Sequence, residues 1–131
     1  MKLAQKTGAR LNVFHISTAL ELNLFDNSIE LNDKKITSEV CAHHLWFTEN
    51  NYSELGSKIK WNPAIKSKND RDALWQAIKE DKIDIIASDH APHTIEEKNN
   101  KYLSCPSGGP MIQHTIFCLL YTSPSPRDWM V

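Results

Sequence analysis

No stretch of this 131-residue chain approaches the roughly 20 consecutive apolar residues that a membrane helix needs. Nor do residues 1–6, "MKLAQK", lead into the apolar core of a secretion signal, so nothing in the sequence points to export. Charge of one sign is also lacking. Fifteen basic residues stand against sixteen acidic ones, for a net charge of -1. That balance excludes a basic stripe for nucleic acid and a polybasic membrane patch. Cysteine is scarce, and Cys41, Cys105 and Cys118 are widely spaced and odd in number. A disulfide framework and a CxxC metal knuckle are thereby excluded, and buried thiols in a reducing cytoplasm are expected instead. What remains is the profile of a soluble globular chain, 40% hydrophobic, with length for one small domain.

Helical and strand patterns then alternate. "MKLAQKTGAR" reads as the end of a helix with Gly8 as its C-cap. "LNVFHIST" is an apolar, β-branched run that suits a buried strand ending near Ser17. "TALELNLF" is expected to open a helix with Thr18 as N-cap, and "DNSIELNDKK" carries turn formers. "KKITSEVCAHHLWF" is the second strand candidate. Residues 48–69 are polar, with "IKWNPAIKSKND" read as a loop because Pro63 disfavours helix at Asn62. "NDRDALWQAIKEDKI" gives the clearest helix, capped by Asn69 or Asp70, with Leu74, Ala77 and Ile78 on one face. It runs into "DIIASDHAPH", the third strand. The order predicts parallel α/β units, either as a small open sheet or as a piece of something larger. "GGPMIQHTIFCLL" looks like a loop entering an apolar helix, after which "YTSPSPRDWMV" changes character. We expect residues 1–118 to form the folded part and 119–131 to be a non-native or disordered tail.

Parallel α/β folds gather ligands at the carboxyl ends of their strands. Three polar clusters fall there: His15 to Thr18, His43–His44, and Asp89-His90-Ala91-Pro92-His93. Singly, each has an ordinary structural explanation, such as a satisfied core histidine or a solvated strand end. Together they would gather imidazoles and a carboxylate on one rim, the donor set that zinc and similar metals prefer. A carboxylate buried beside imidazoles is costly unless a cation compensates it.

The segments "VFHIST", "SEVCAHHLWF", "KWNPAIKSKNDRDALWQAI", "IIASDHAPH" and "PSGGPMIQH" resemble, in unbroken order, the second half of the dihydroorotases, cyclic amidohydrolases of the amidohydrolase superfamily. "SDHAPH" and "NPAIK" are the most specific pieces. The resemblance implies a (β/α)8 TIM barrel, of which this chain would supply roughly strands six to eight. It also implies a zinc centre, usually of two ions. His15 matches the metal-binding histidine of strand six. Asp89 matches the aspartate of strand eight, a metal ligand and the general acid–base. Asn62, His93, Gly108 and Gly109 match positions around the substrate. His43 and His44 match a pair more suited to orienting the ligands than to binding metal. His90 and His114 are expected to support the ligands from behind or to lie on the surface, and Trp46, Trp61 and Trp75 are expected to pack.

The activity implied is the reversible interconversion of dihydroorotate and N-carbamoyl-aspartate in pyrimidine biosynthesis. Asp89 would take a proton from the attacking water and hand it to the departing ring nitrogen. The partner expected is thus a small-molecule substrate, with a homo-oligomer or a pyrimidine-pathway assembly left open. The HxH motif and the bridging carboxylate of such a centre are absent from these residues, so the isolated chain is expected to be inactive. The alternatives are an allantoinase or dihydropyrimidinase, and a non-catalytic scaffold subunit.

Overall fold

The computed structural model describes the backbone of residues 1–122 and the side chains through Leu120. Helix α1 (Lys2–Thr7) ends at Gly8, which caps it at φ 70°, and leads into strand β1 (Leu11–Val13). Strand β2 (Ile36–Cys41) runs directly into helix α2 (Ala42–Trp46). A short helix α3 (Tyr52–Leu55) and the long helix α4 (Lys68–Lys79) precede strand β3 (Ile85–Ala87). Helices α5 (Ile95–Lys98) and α6 (Ile112–Thr122) complete the described chain. The three strands form one parallel sheet in the order β1-β2-β3.

Several local expectations need correction. The second strand stops at Cys41, and His43 and His44 lie on α2 rather than on a strand. The reason is tertiary: Ala42, His43, His44 and Leu45 are all buried where α2 packs against α4 and α6. The segment after Thr18 makes only a 3₁₀ turn, Glu21–Leu24, although the Thr18 hydroxyl does accept the Glu21 N–H at 3.3 Å. The polar residues from Glu49 to Ile59 form a run of short helical turns. Helix α4 is capped by Ser67, with Asp70 completing a capping box three residues on. Its Leu74 and Ala77 do enter the core. Trp46 is 53% exposed instead of packed. Of the tail, 119–122 continue α6, and residues 123–131 lie outside the described residues.

The sheet has two chemically different faces, because side chains alternate along a strand and the register aligns like with like. Val13, Ile36, Val40 and Ile86 belong to the apolar core with Ile16, Leu45, Leu74, Ala77 and Ile83. The other face carries Asn12, Thr37, Glu39 and Cys41, with Ile85 and Ala87 opposite Glu39 and Cys41. Asn12 bridges on this face, accepting from Thr37 Oγ1 at 2.9 Å and donating to Glu39 Oε2 at 3.3 Å. Phe14, 59% exposed, and Ile85 leave apolar surface open to solvent.

The amino ends of β2 and β3 are joined by a buried ion pair. Lys34 Nζ lies 2.6 Å from Asp84 Oδ1, and Asp84 Oδ2 accepts the Ser38 N–H at 2.9 Å. Lys34 also donates to the Asp81 carbonyl, so the charge inside the fold is both paired and hydrogen-bonded. Removing one partner of such a pair strands the other. D84N is expected to destabilise the chain by about 3–5 kcal/mol, read from the urea midpoint at constant m. A loss below about 1 kcal/mol would show the pair to be dispensable.

Candidate metal centre at the carboxyl rim

His15 and Asp89 follow the carboxyl ends of β1 and β3, and both adopt left-handed backbone, at φ 41° and 45°. That conformation costs a side-chain-bearing residue on the order of 1–3 kcal/mol and concentrates at functional sites. At both places it ends the strand and turns the polar residue out of the ladder. Beyond His15 the chain stays tied to the sheet, with the Ile16 N–H donating to the Glu39 carbonyl at 2.8 Å. The next turn is held from a distance: Asp70 Oδ1 accepts the Ala19 N–H at 2.9 Å. Burial pushes the Asp70 carboxyl up, but the Ser67 hydroxyl and the Ala19 and Ser67 N–H groups outweigh it and hold it below its ordinary value.

Cys41, His43 and Asp89 each bring a donor atom to within 4.8 Å of the other two. His15 is outside that group but close enough to act electrostatically on His43 and on His44, as Asp89 acts on His44. Cys41 was not singled out from the sequence. The signal was its place in the alternation 37, 39, 41 on the polar face of β2. Burial, with Asp89 and Glu39 adding to it, pushes the Cys41 thiol up to about 12. Asp89 is exposed, and its carboxylate makes no hydrogen bond among the described residues.

The two buried histidines differ. His44 Nε2 donates to the Pro63 carbonyl at 2.9 Å, leaving Nδ1 without a partner. His43 is fully buried with neither ring nitrogen bonded among the described residues, and it stacks flat on Trp61 at 4.5 Å and 7°. Burial holds His43 down to about 2 and His44 to about 4, the Pro63 bond partly opposing the shift in His44. Both are neutral imidazoles at neutral pH.

The remaining residues marked in the sequence meet at Ser107. Asn62 Nδ2 donates to the Ser107 hydroxyl at 3.0 Å, and His93 Nε2 lies 3.0 Å from the Ser107 carbonyl. Gly108 sits at φ 115°, and a Cβ there would lie 2.7 Å from the Ala91 Cβ. A Cβ on Gly109 would lie 2.7 Å from the Trp61 ring. The close approach both glycines permit is therefore made to protein, and the Gly108 N–H is spent on the Lys60 carbonyl at 2.9 Å. Lys98 holds this loop. Its buried ammonium donates to the carbonyls of Lys60, Pro106 and Gly108 at 3.2, 3.0 and 2.9 Å. Nothing in "IEEK" distinguishes that lysine from one on a solvated helix.

Against known proteins, the chain is 38% identical over 106 residues to the dihydroorotase of Clostridioides difficile (strain 630), which covers 81% of this chain and 25% of that protein. It is likewise 38% identical over 120 residues to the dihydroorotase of Staphylococcus epidermidis, 92% of this chain and 28% of that one. The chain belongs to the dihydroorotase family. It spans about a quarter of the length of the curated relatives it matches. Solved structures agree in fold. Saccharomyces cerevisiae dihydroorotase in complex with 5-fluoroorotic acid superposes with a TM-score of 0.80 at 22% identity, over 92% of this chain and 34% of that chain. The L-hydantoinase (dihydropyrimidinase) of Arthrobacter aurescens gives 0.81 at 22% identity, over 91% and 27%. The three parallel strands are thus a portion of an amidohydrolase barrel. A family described as the OB-fold domain of staphylococcal and streptococcal toxins also matches residues 20–110. An OB-fold is an antiparallel Greek-key barrel, whereas β2 and β3, both within that range, pair in parallel. The fold overrules that match.

The buried imidazoles set an acid limit. Unfolded, they bind protons near pH 6.5; folded, His44 does so only at about 4. Between those values the unfolded state holds the extra proton, so stability falls as pH falls. In metal-free buffer, urea unfolding from pH 7 to 4 is expected to show a shallower pH slope in H44N than in the unmodified chain. Equal slopes would mean that His44 is charged when folded.

Proposed function

We propose that this rim is part of the metal centre of a cyclic-amide hydrolase that interconverts dihydroorotate and N-carbamoyl-aspartate. The observation that carries the reading is the pairing of His15 and Asp89 in strained backbone at the ends of two parallel strands of one sheet. The 38% identity to dihydroorotases favours dihydroorotate over the substrates of hydantoinases, whose likeness is one of fold. In this reading the strands correspond to the sixth to eighth of the barrel.

The residues fit zinc. His15 and Asp89 offer imidazole nitrogen and carboxylate oxygen, and a ring nitrogen of His43 lies within 4.8 Å of an Asp89 oxygen. His15 and Asp89 would hold the ion, which when bound supplies Lewis-acid stabilisation of charge developing on oxygen. The protein's own work is then proton transfer and placement. Asp89, exposed and without a hydrogen bond among the described residues, takes a proton from the attacking water and returns it to the ring nitrogen that leaves. His93 and Asn62, both anchored to Ser107, orient the substrate's carboxylate and ring. Gly108 and Gly109 keep that loop against Ala91 and Trp61, so their part in binding is to shape the wall.

With two donors from this pair, against the three or four protein ligands of ordinary zinc sites, residues 1–131 alone are expected to show no turnover of dihydroorotate with added zinc. Clear turnover would refute that. The activity itself is tested in a chimera in which this chain replaces the matching quarter of the C. difficile dihydroorotase. It should hydrolyse dihydroorotate in preference to allantoin and dihydrouracil, and D89N should lower kcat by about 10²–10⁴-fold. A preference for allantoin or dihydrouracil, or an unaffected D89N, would overturn the assignment.

A further inference from the structure

We propose that the carboxyl end of β2 supplies metal donors of its own, the Cys41 thiolate and the His43 imidazole, which with Asp89 bind a borderline-soft divalent cation such as zinc. The site goes beyond the hydrolase reading and shares Asp89 with it.

Three independent features converge. The first is placement. The register sets Cys41 opposite Ala87, and two residues beyond Ala87 a carboxylate oxygen of Asp89 comes within 4.8 Å of the Cys41 sulfur. The second is the state of His43. It is fully buried, neither ring nitrogen has a hydrogen-bond partner among the described residues, and the indole of Trp61 lies flat against it. A buried polar group without a partner is costly and rare in folded proteins. The stacking confines the ring to its own plane, so it cannot turn out to water. A cation between Cys41 and Asp89 gives one of its nitrogens a partner.

The third is donor chemistry. Sulfur, nitrogen and one oxygen select zinc, cadmium or cobalt over magnesium or calcium, which prefer oxygen alone. Donors around a tetrahedral zinc lie roughly 3.5 Å apart, given bonds of about 2.0–2.3 Å. The group, at 4.8 Å or less, must contract by about 1 Å. Asp89 is the member free to close the gap, since it is exposed and unbonded. Three protein donors leave a fourth position for water or substrate. Binding moves no electrons. The sulfur–metal bond forms as the thiol proton passes to solvent.

Cobalt(II) titration of the full 131-residue chain tests the site without turnover. The expected result is a thiolate-to-cobalt charge-transfer band in the near ultraviolet that saturates at one equivalent. C41S should abolish it, and H43Q should weaken binding by more than about tenfold. A C105S/C118S double variant should keep it, and so should H15N. Circular dichroism establishes that each variant is folded, and C41A serves if C41S is not. No band in the folded unmodified chain, or a band that survives removal of Cys41, overturns the site. Since H15N leaves the band in place, failure of the hydrolase reading and failure of this one are told apart.

Discussion

The parallel pairing of β2 with a neighbour on each side is the constraint on which the site depends. Parallel ladders bring the carboxyl ends of all three strands to one rim, and strand alternation then decides which side chains share a face. A slip of one residue would carry Cys41 and Asp89 to opposite faces. The register is held where water cannot compete. Asp84 accepts a backbone N–H of β2 while the Lys34 ammonium, reaching across from before that strand, neutralises it.

The two faces divide the labour. On one, Val13, Val40, Ile86 and the apolar side of α4 bury surface and keep the strands together. On the other, Asn12, Thr37 and Glu39 form a polar string that leads toward Cys41. Alternation on a single strand thus places a hydrophobic anchor, Val40, next in sequence to Cys41 on the polar face. The left-handed turns at His15 and Asp89 are where the ladder ends and the polar side chains leave it.

Trp61 joins this rim to the loop at Ser107. One ring contacts the His43 imidazole, meets the space a Gly109 side chain would fill, and lies 5.9 Å from the Lys98 ammonium. Asn62 and His93 hang from the same loop. His43 at the rim and the loop at Ser107 are therefore coupled through packed side chains, not through the backbone alone.

Much of this was legible in the linear order of residues. The alternation of apolar runs with the α4 pattern identified parallel α/β units, and "SDHAPH" and "NPAIK" identified the family, because motifs of contiguous residues survive without knowledge of contacts. Gly8 was readable as a cap since only a left-handed residue ends a helix that way. What tertiary structure decided was of another kind. That β2 stops at Cys41 and hands His43 and His44 to a helix depends on burial against α4 and α6. That Cys41 comes near Asp89, 48 residues later, depends on a register that no local pattern specifies. That Lys98 is buried depends on three carbonyls of a distant loop. Local propensity and motif are properties of neighbouring residues, whereas donor geometry arises only when strands distant in sequence align.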